Sequence, residues 1–165
     1  MINLHFRKGK LNVDKIKIIE YEDRYHNDLK KISYEWLKKY ELLEQEDENM
    51  LNNPKEVVLD KGGFIFFAKY GEEIIGTSSL VRVDENVFEL IKLAVIEKYQ
   101  GLKIGKMLME KCLYVAKEKN AKSIILFTNH KLTSAIELYK RFNFKETPFV
   151  KNKYAESDLK MELKL

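Results

Sequence analysis

The rhythm of apolar and polar residues changes several times along this chain, and each change marks an element. Residues 89–95, Glu-Leu-Ile-Lys-Leu-Ala-Val, form a mostly apolar run, too short for a helix that stops there, and predict a buried strand. Beyond a polar turn containing Gly101, the residues Ile104, Met107, Leu108, Cys112 and Val115 recur at helical spacing and predict a helix over 103–119. Upstream, partial alternation predicts a first strand over 15–21. Helical spacing follows at Tyr25, Leu29, Ile32, Trp36 and Tyr40, then a second short helix over 42–51 that stops before Asn52-Asn53-Pro54. Lys61-Gly62-Gly63 signals a turn, and strands are predicted over 64–70, 74–83 and 87–95, joined by short polar turns. Three strands so connected form an antiparallel meander. Residues 123–128 read as a fifth strand that returns across a helix and therefore runs parallel to 87–95. A helix over 133–142 and closing strands over 145–150 and 158–163 complete the pattern. Residues 1–14 are basic and weakly patterned, and are left open between an added strand and a terminal arm.

This order predicts an α/β fold of mixed α+β character, a central mixed sheet flanked by helices. No repeat or linker interrupts it, so residues 1–165 are expected to form one domain. Apolar residues at 45% and charged residues at 34% place the chain among globular proteins rather than disordered ones. The excess of 30 basic over 26 acidic residues is too small and too dispersed to predict nucleic-acid binding. The single cysteine, Cys112, lies on the apolar helix face and is expected in the core. Three scattered histidines give no metal-ligand spacing. No apolar run approaches the roughly 20 residues of a membrane span, and no leader segment is read at the start. The expectation is a cytoplasmic protein with neither membrane nor nucleic acid as partner; a homodimer is left open.

The strand–turn–helix at 89–119 carries the chemistry. The first amides of a helix have no intrahelical partner, and the helix dipole adds partial positive charge there. Lys103 and Lys106 add full charges. A phosphate or pyrophosphate is the expected ligand. Gly101-x-x-x-Gly105-Lys106 is not a Walker loop: it has three residues between the glycines instead of four, and Met107 stands where Ser or Thr would hold magnesium. No Gly-x-Gly-x-x-Gly is present.

What the run does resemble is the acetyl-CoA motif of the GNAT superfamily of N-acetyltransferases, Gln/Arg-x-x-Gly-x-Gly/Ala after a strand ending Met/Leu-x-Val. Leu93-Ala94-Val95, Gln100, Ile104 and Gly105 match, and Lys103 takes the first glycine position. Thr128-Asn129, followed by Ala135, Leu138, Tyr139, Phe142 and Phe144, resembles a second segment of the family, with Asn143 in place of its usual Gly. Asn tolerates positive φ and can end a helix where Gly would. The resemblance implies a GNAT-like acyl-CoA N-acyltransferase fold. It also implies an enzyme that uses acetyl-CoA, without metal, to acetylate a primary amine on a small molecule or protein by direct transfer. A non-catalytic acyl-CoA-binding regulatory module on the same fold is the alternative.

The same resemblance assigns the site. Cofactor binding falls to the backbone of Leu93, Ala94 and Val95 and to the turn Gln100, Gly101, Leu102, Lys103, Ile104, Gly105 and Lys106. The strands around 87–95 and 123–128 are expected to splay, so that the pantetheine arm pairs with the former and the amide of Leu93 or its neighbour polarises the thioester. Tyr139 stands where the family has a general acid near the sulfur; as a helix aromatic it is equally a packing residue. Asn129 is placed to bond the pantetheine or to shape a turn. Glu89, by strict alternation, shares a face with Ile91, Leu93 and Val95, where partial burial would raise its pKa and suit it to be the base. A strand-end carboxylate facing solvent is the other reading, and His130 is a rival base. The acidic residues Glu44, Glu46, Asp47 and Glu48 are read most simply as a solvated face, and otherwise as a site for a cationic acceptor.

Overall fold

A computed structural model describes residues 11–151 and 153–165. The strands are β1 (Ile16–Glu20), β2 (Phe64–Tyr70), β3 (Glu73–Arg82), β4 (Val87–Val95), β5 (Ser123–Thr128), β6 (Lys145–Thr147) and β7 (Leu159–Lys164). The helices are α1 (His26–Lys39), α2 (Gln45–Asn52), α3 (Pro54–Val57), α4 (Ile104–Glu118) and α5 (Thr133–Arg141). One seven-stranded sheet runs β1-β2-β3-β4-β5-β7-β6. The β2–β3–β4 meander is antiparallel and β4–β5 is parallel, as the pattern predicts. The closing strands pair in the order β5-β7-β6, so the chain reaches the edge at β6 and returns to fill the gap beside β5. Most of 1–14 lies outside the described residues; Val13–Lys15 forms a short 3-10 turn, so the first strand starts at Ile16.

Helix ends follow local chemistry. The Glu44 amide donates to Asp47 Oδ2 at 3.0 Å, which starts α2. Asn53 leaves the helical region at φ −133° and Pro54 opens the short α3, which apolar spacing did not reveal. At the end of α5, Asn143 takes φ 68° and the Phe144 amide donates to Tyr139 O at 3.0 Å, the αL cap read from the sequence.

Each face of the sheet carries its own core. On one face α4 packs Ile104, Leu108, Met109, Cys112 and Ala116 against Phe66, Ile75, Leu80, Phe88 and Leu90. Cys112 is fully buried, donates its thiol to Ser78 Oγ at 3.3 Å, and has its pKa pushed up to about 12 by burial. On the other face α1 and α2 pack Leu29, Ile32, Leu37, Met50 and Leu51 against Ile65, Phe67, Ile74 and Ala94.

Two irregularities at β4 prepare the site. Parallel pairing with β5 covers only Val87↔Ser123, Phe88↔Ile124 and Glu89↔Ile125. Beyond Glu89, β4 continues along β3 and β5 continues along β7, so the two strands part. The second irregularity is a bulge. Thr77 pairs with Ala94 but Ser79 pairs with Ile91, so Ser78 faces both Lys92 and Leu93, and Lys92 adopts φ 54°. The bulge reverses the alternation. Glu89 and Ile91 face the α1/α2 side, whereas Leu93 and Val95 pack against the α4 core. The expected common face of Glu89, Ile91, Leu93 and Val95 is therefore corrected: a residue in the left-handed region shifts the period by one.

Candidate active site

The parted strands open a cleft with about 770 Å³ of empty space, continuous with solvent. One wall is the freed stretch of β4 from Leu90 to Ala94, and the opposite wall is Phe127, Thr128 and Asn129. Trp36 and Leu37 of α1, with Leu42 and Asp47, form a third side, and Tyr154 and Ser157 cover it. Ser33 of α1 also lines the cleft, and its buried hydroxyl has no partner among the described residues.

Beside the end of β4, the turn into α4 is built from left-handed residues. Gly101 has φ 82° and Lys103, the residue before α4, has φ 64°. Lys103 thus adopts the conformation that the glycine of the family motif supplies without strain. Gln100 Nε2 donates to Val95 O at 3.1 Å and fastens the turn to the strand. Ile104 is buried core. A Cβ added to Gly105 would meet only Leu138 Cδ2 at 3.3 Å, so the first turn of α4 lies close against α5. Leu102 packs at the edge of the α4 core, and Lys106 points to Glu110 at 3.7 Å.

Tyr139 is 8% exposed, stacks obliquely on Phe144 at 5.9 Å between centroids, and lines the cleft. Its hydroxyl makes no hydrogen bond among the described residues. Burial drives its pKa well above the ordinary phenol value. It is both the packing residue and the cleft residue that the sequence allows.

Glu89 is 5% exposed and sits at the last paired position before the strands part. It is not a solvent-facing strand end. Burial pushes its carboxyl above the usual carboxylate range, against the opposing pull of Lys153, the Tyr154 hydroxyl and Lys92. Tyr154 donates its hydroxyl to Glu89 Oε2 at 3.0 Å and stands between the carboxylate and the cleft. Burial, then Glu89, drive the Tyr154 pKa far up.

His130 and Asn129 serve the loop after β5. His130 is exposed, and its Nδ1 and backbone amide both reach Asp158 Oδ1, at 2.9 and 3.0 Å. It does not line the cleft. Asn129 Nδ2 donates to Glu156 O at 2.7 Å, and its Oδ1 accepts from the Lys131 amide at 2.9 Å, so it shapes the turn while also lining the cleft.

The acidic run at 44–48 is not a uniform solvated face. Asp47 is buried and its Oδ1 accepts from Lys92 Nζ; their side chains are 6% and 7% exposed. Lys92 Nζ also lies 5.9 Å from the centre of the Tyr154 ring. The Glu44 carboxylate accepts the backbone amides of Ala155 at 2.9 Å and Glu156 at 3.0 Å. A ring of bonds thus runs from Lys92 to Asp47, along α2 to Glu44, across to residues 154–156, and through Tyr154 back to Glu89. Lys92 and Tyr154 were missed from sequence, and Asp47 was read only as one of an acidic run. Lys92 as the one cation inside an apolar run, and Asp47 at helical spacing from Met50 and Leu51, were the available signals.

The class that this fold and site define is confirmed by comparison. The Acetyltransferase (GNAT) family profile matches residues 22–144, and the chain belongs to that family. A GNAT-family acetyltransferase from Staphylococcus aureus Mu50 superposes with a TM-score of 0.81 at 30% identity, over 90% of this chain and 98% of that one. The PaiA N-acetyltransferase from Thermoplasma acidophilum, solved in complex with coenzyme A, shares the fold with a TM-score of 0.72 at 20% identity, over 91% and 99% of the two chains. Among curated proteins, an uncharacterized N-acetyltransferase from Dictyostelium discoideum is 39% identical over 48% of this chain and 37% of its own length. An N-alpha-acetyltransferase from Sulfolobus acidocaldarius is 31% identical over 42% of each. The chain spans less than half the length of these curated relatives. No helix among the described residues is long and apolar enough to cross a membrane.

Proposed function

We propose that the chain transfers the acetyl group of acetyl-CoA directly to a primary amine that enters the cleft between β4 and β5. The observation that carries this reading is the parting of the two strands beyond Glu89 and Ile125, next to the amide-rich start of α4. The freed β4 edge offers backbone donors and acceptors to a pantetheine arm. The left-handed turn at Gly101 and Lys103, with the first amides of α4, suits a pyrophosphate. Acetyl-CoA, when bound there, supplies the activated acetyl carbonyl.

The chain's own groups do the rest. Backbone amides at the Lys92–Leu93 bulge bond the carbonyl oxygen as it gains negative charge. Glu89 takes the amine proton through the Tyr154 hydroxyl as the N–C bond forms. Tyr139 gives a proton to sulfur as the C–S bond breaks, and recovers one from solvent.

Two outcomes test this. Calorimetry should detect acetyl-CoA binding that chelator leaves intact, and amines should release free thiol on turnover. Binding without thiol release across amine classes would favour the regulatory module instead. Gly105→Ala should bind nearly as wild type, since the added Cβ meets only a movable leucine methyl. Gly105→Glu should raise Kd tenfold or more, about 1.4 kcal/mol, because it sets a carboxylate against the pyrophosphate. Tyr154→Phe removes a bond that favours ionised Glu89. The acidic limb of kcat/KM should then move to higher pH and kcat should fall, since the relay is cut; an unmoved limb with an unchanged rate would mean that Tyr154 only shapes the pocket.

A further inference from the structure

The bulge at Lys92 is held from outside the sheet. A lysine at φ 54° is intrinsically unfavourable, because the left-handed region crowds its Cβ against the backbone. Such a residue persists where its surroundings over-determine it. Here the surroundings include a buried ion pair, beside the Tyr154 ring. The Lys92 side chain leaves the bulge, crosses the edge of the cleft and meets Asp47 Oδ1, with both side chains almost wholly buried. Asp47 is itself fixed, since its other oxygen accepts the Glu44 amide at the start of α2. Both residues line the cleft.

We propose that Asp47 and Lys92 are a positioning pair: α2 holds the β4 bulge by this ion pair, and so aims the bulge amides at the thioester carbonyl. The inference rests on the reading of the cleft given above and extends it to residues that touch neither the sulfur nor the amine. Neither Lys92 nor Leu93 has a register partner in β3. The direction of their amides is therefore not set by the ladder and must be set by something else. Asp47 sits on the side of the cleft formed with Trp36, Leu37 and Leu42, so the pair makes carbonyl polarisation depend on the placement of α2.

Carbonyl polarisation can be read without knowing the amine. Acetyl-CoA carrying a ¹³C=O label is bound to the protein, and the carbonyl stretch is recorded by difference infrared spectroscopy beside the Kd from calorimetry. Wild type should move the stretch to lower frequency. Asp47→Asn and Lys92→Met should lose most of that shift with Kd changed less than about threefold. Their turnover with any responsive amine should fall about tenfold to a hundredfold, below the 10²–10³ loss typical of deleting an oxyanion donor outright. The double variant Asp47→Asn/Lys92→Met, which leaves no buried charge unpaired, should be no worse than the poorer single variant. Asp47→Asn/Lys92→Gly should regain part of the shift, because glycine adopts the left-handed conformation without strain. A full shift in the folded double variant would overturn the inference while leaving the acetyltransferase reading standing. No acetyl-CoA binding by wild type would overturn both.

Discussion

Tyr139→Phe is expected to lower kcat by about 10²–10⁴-fold while leaving KM for acetyl-CoA nearly unchanged. The phenol ring packs on Phe144 and the oxygen has no partner among the described residues, so phenylalanine keeps the packing and removes only the proton donor. Burial holds the hydroxyl protonated well beyond the ordinary phenol range. Its proton therefore stays on oxygen until sulfur develops charge, which happens only in the transition state. An interaction made only there appears in kcat and not in ground-state binding. The same burial means that Tyr139 should produce no basic limb in the pH profile below about pH 10, the ordinary phenol value. Steady-state kinetics over pH 6–10 checks both points. A Phe variant with full activity would reduce Tyr139 to a packing residue, and one altered only in KM would make it a binding residue.

Glu89→Gln is expected to cost a comparable factor, about 10²–10⁴-fold in kcat/KM, with cofactor Kd retained. Glutamine can still accept the Tyr154 hydroxyl but cannot take a proton from it. In wild type, the raised Glu89 pKa means that activity falls as pH drops through a value above the usual carboxylate range. That limb should vanish or move in the variant. Deprotonation of the amine itself also gives an acidic limb, so the comparison between variants carries the test. Linkage adds an independent sign. A carboxyl whose pKa is higher folded than unfolded lends stability at pH below its unfolded pKa, and that contribution is lost as pH rises through the folded pKa. At pH above its folded pKa the ionised, buried Glu89 is thus a burden on the fold, and there Glu89→Gln should melt at a higher temperature than wild type while turning over more slowly. Lower activity together with lower stability would mean that Glu89 holds the structure and not the proton.

The strands, the long helices and the α4 turn were legible because apolar period and glycine placement are local signals. Two positive-φ residues at the site were not. Lys103 and Lys92 occupy the left-handed region without glycine's signature, and beyond Lys92 this turned Leu93, Ala94 and Val95 to the faces opposite to strict alternation. Tyr139 and Glu89 were found because one lies in a motif and the other is a carboxylate in an apolar strand. Tyr154 was invisible for the opposite reason. The stretch after the strand predicted over 145–150 has no period, and Tyr154, Ala155 and Glu156 are held by Glu89, Glu44 and Asn129, all distant in sequence. The acidic residues of α2 were read by charge alone, whereas Asp47 is placed by its spacing to Met50 and Leu51.

The ring of bonds around the cleft also bears on how the molecule reaches its working form. Tyr154 meets Glu89 across 65 positions, and Glu44 meets Ala155 and Glu156 across 111 and 112. The β2–β3–β4 hairpins, by contrast, close over turns of a few residues. Loop-closure entropy rises with the length enclosed, so hairpins form early and contacts of such separation form late. Refolding should therefore recover the sheet's far-ultraviolet signal before it recovers turnover, with the cover formed by Tyr154 to Glu156 the last part to assemble. On the native side the Glu44 contacts to Ala155 and Glu156 are two and solvent-facing. Amides at 155 and 156 should exchange with solvent well before those of β3, by openings that release this cover and leave the sheet intact.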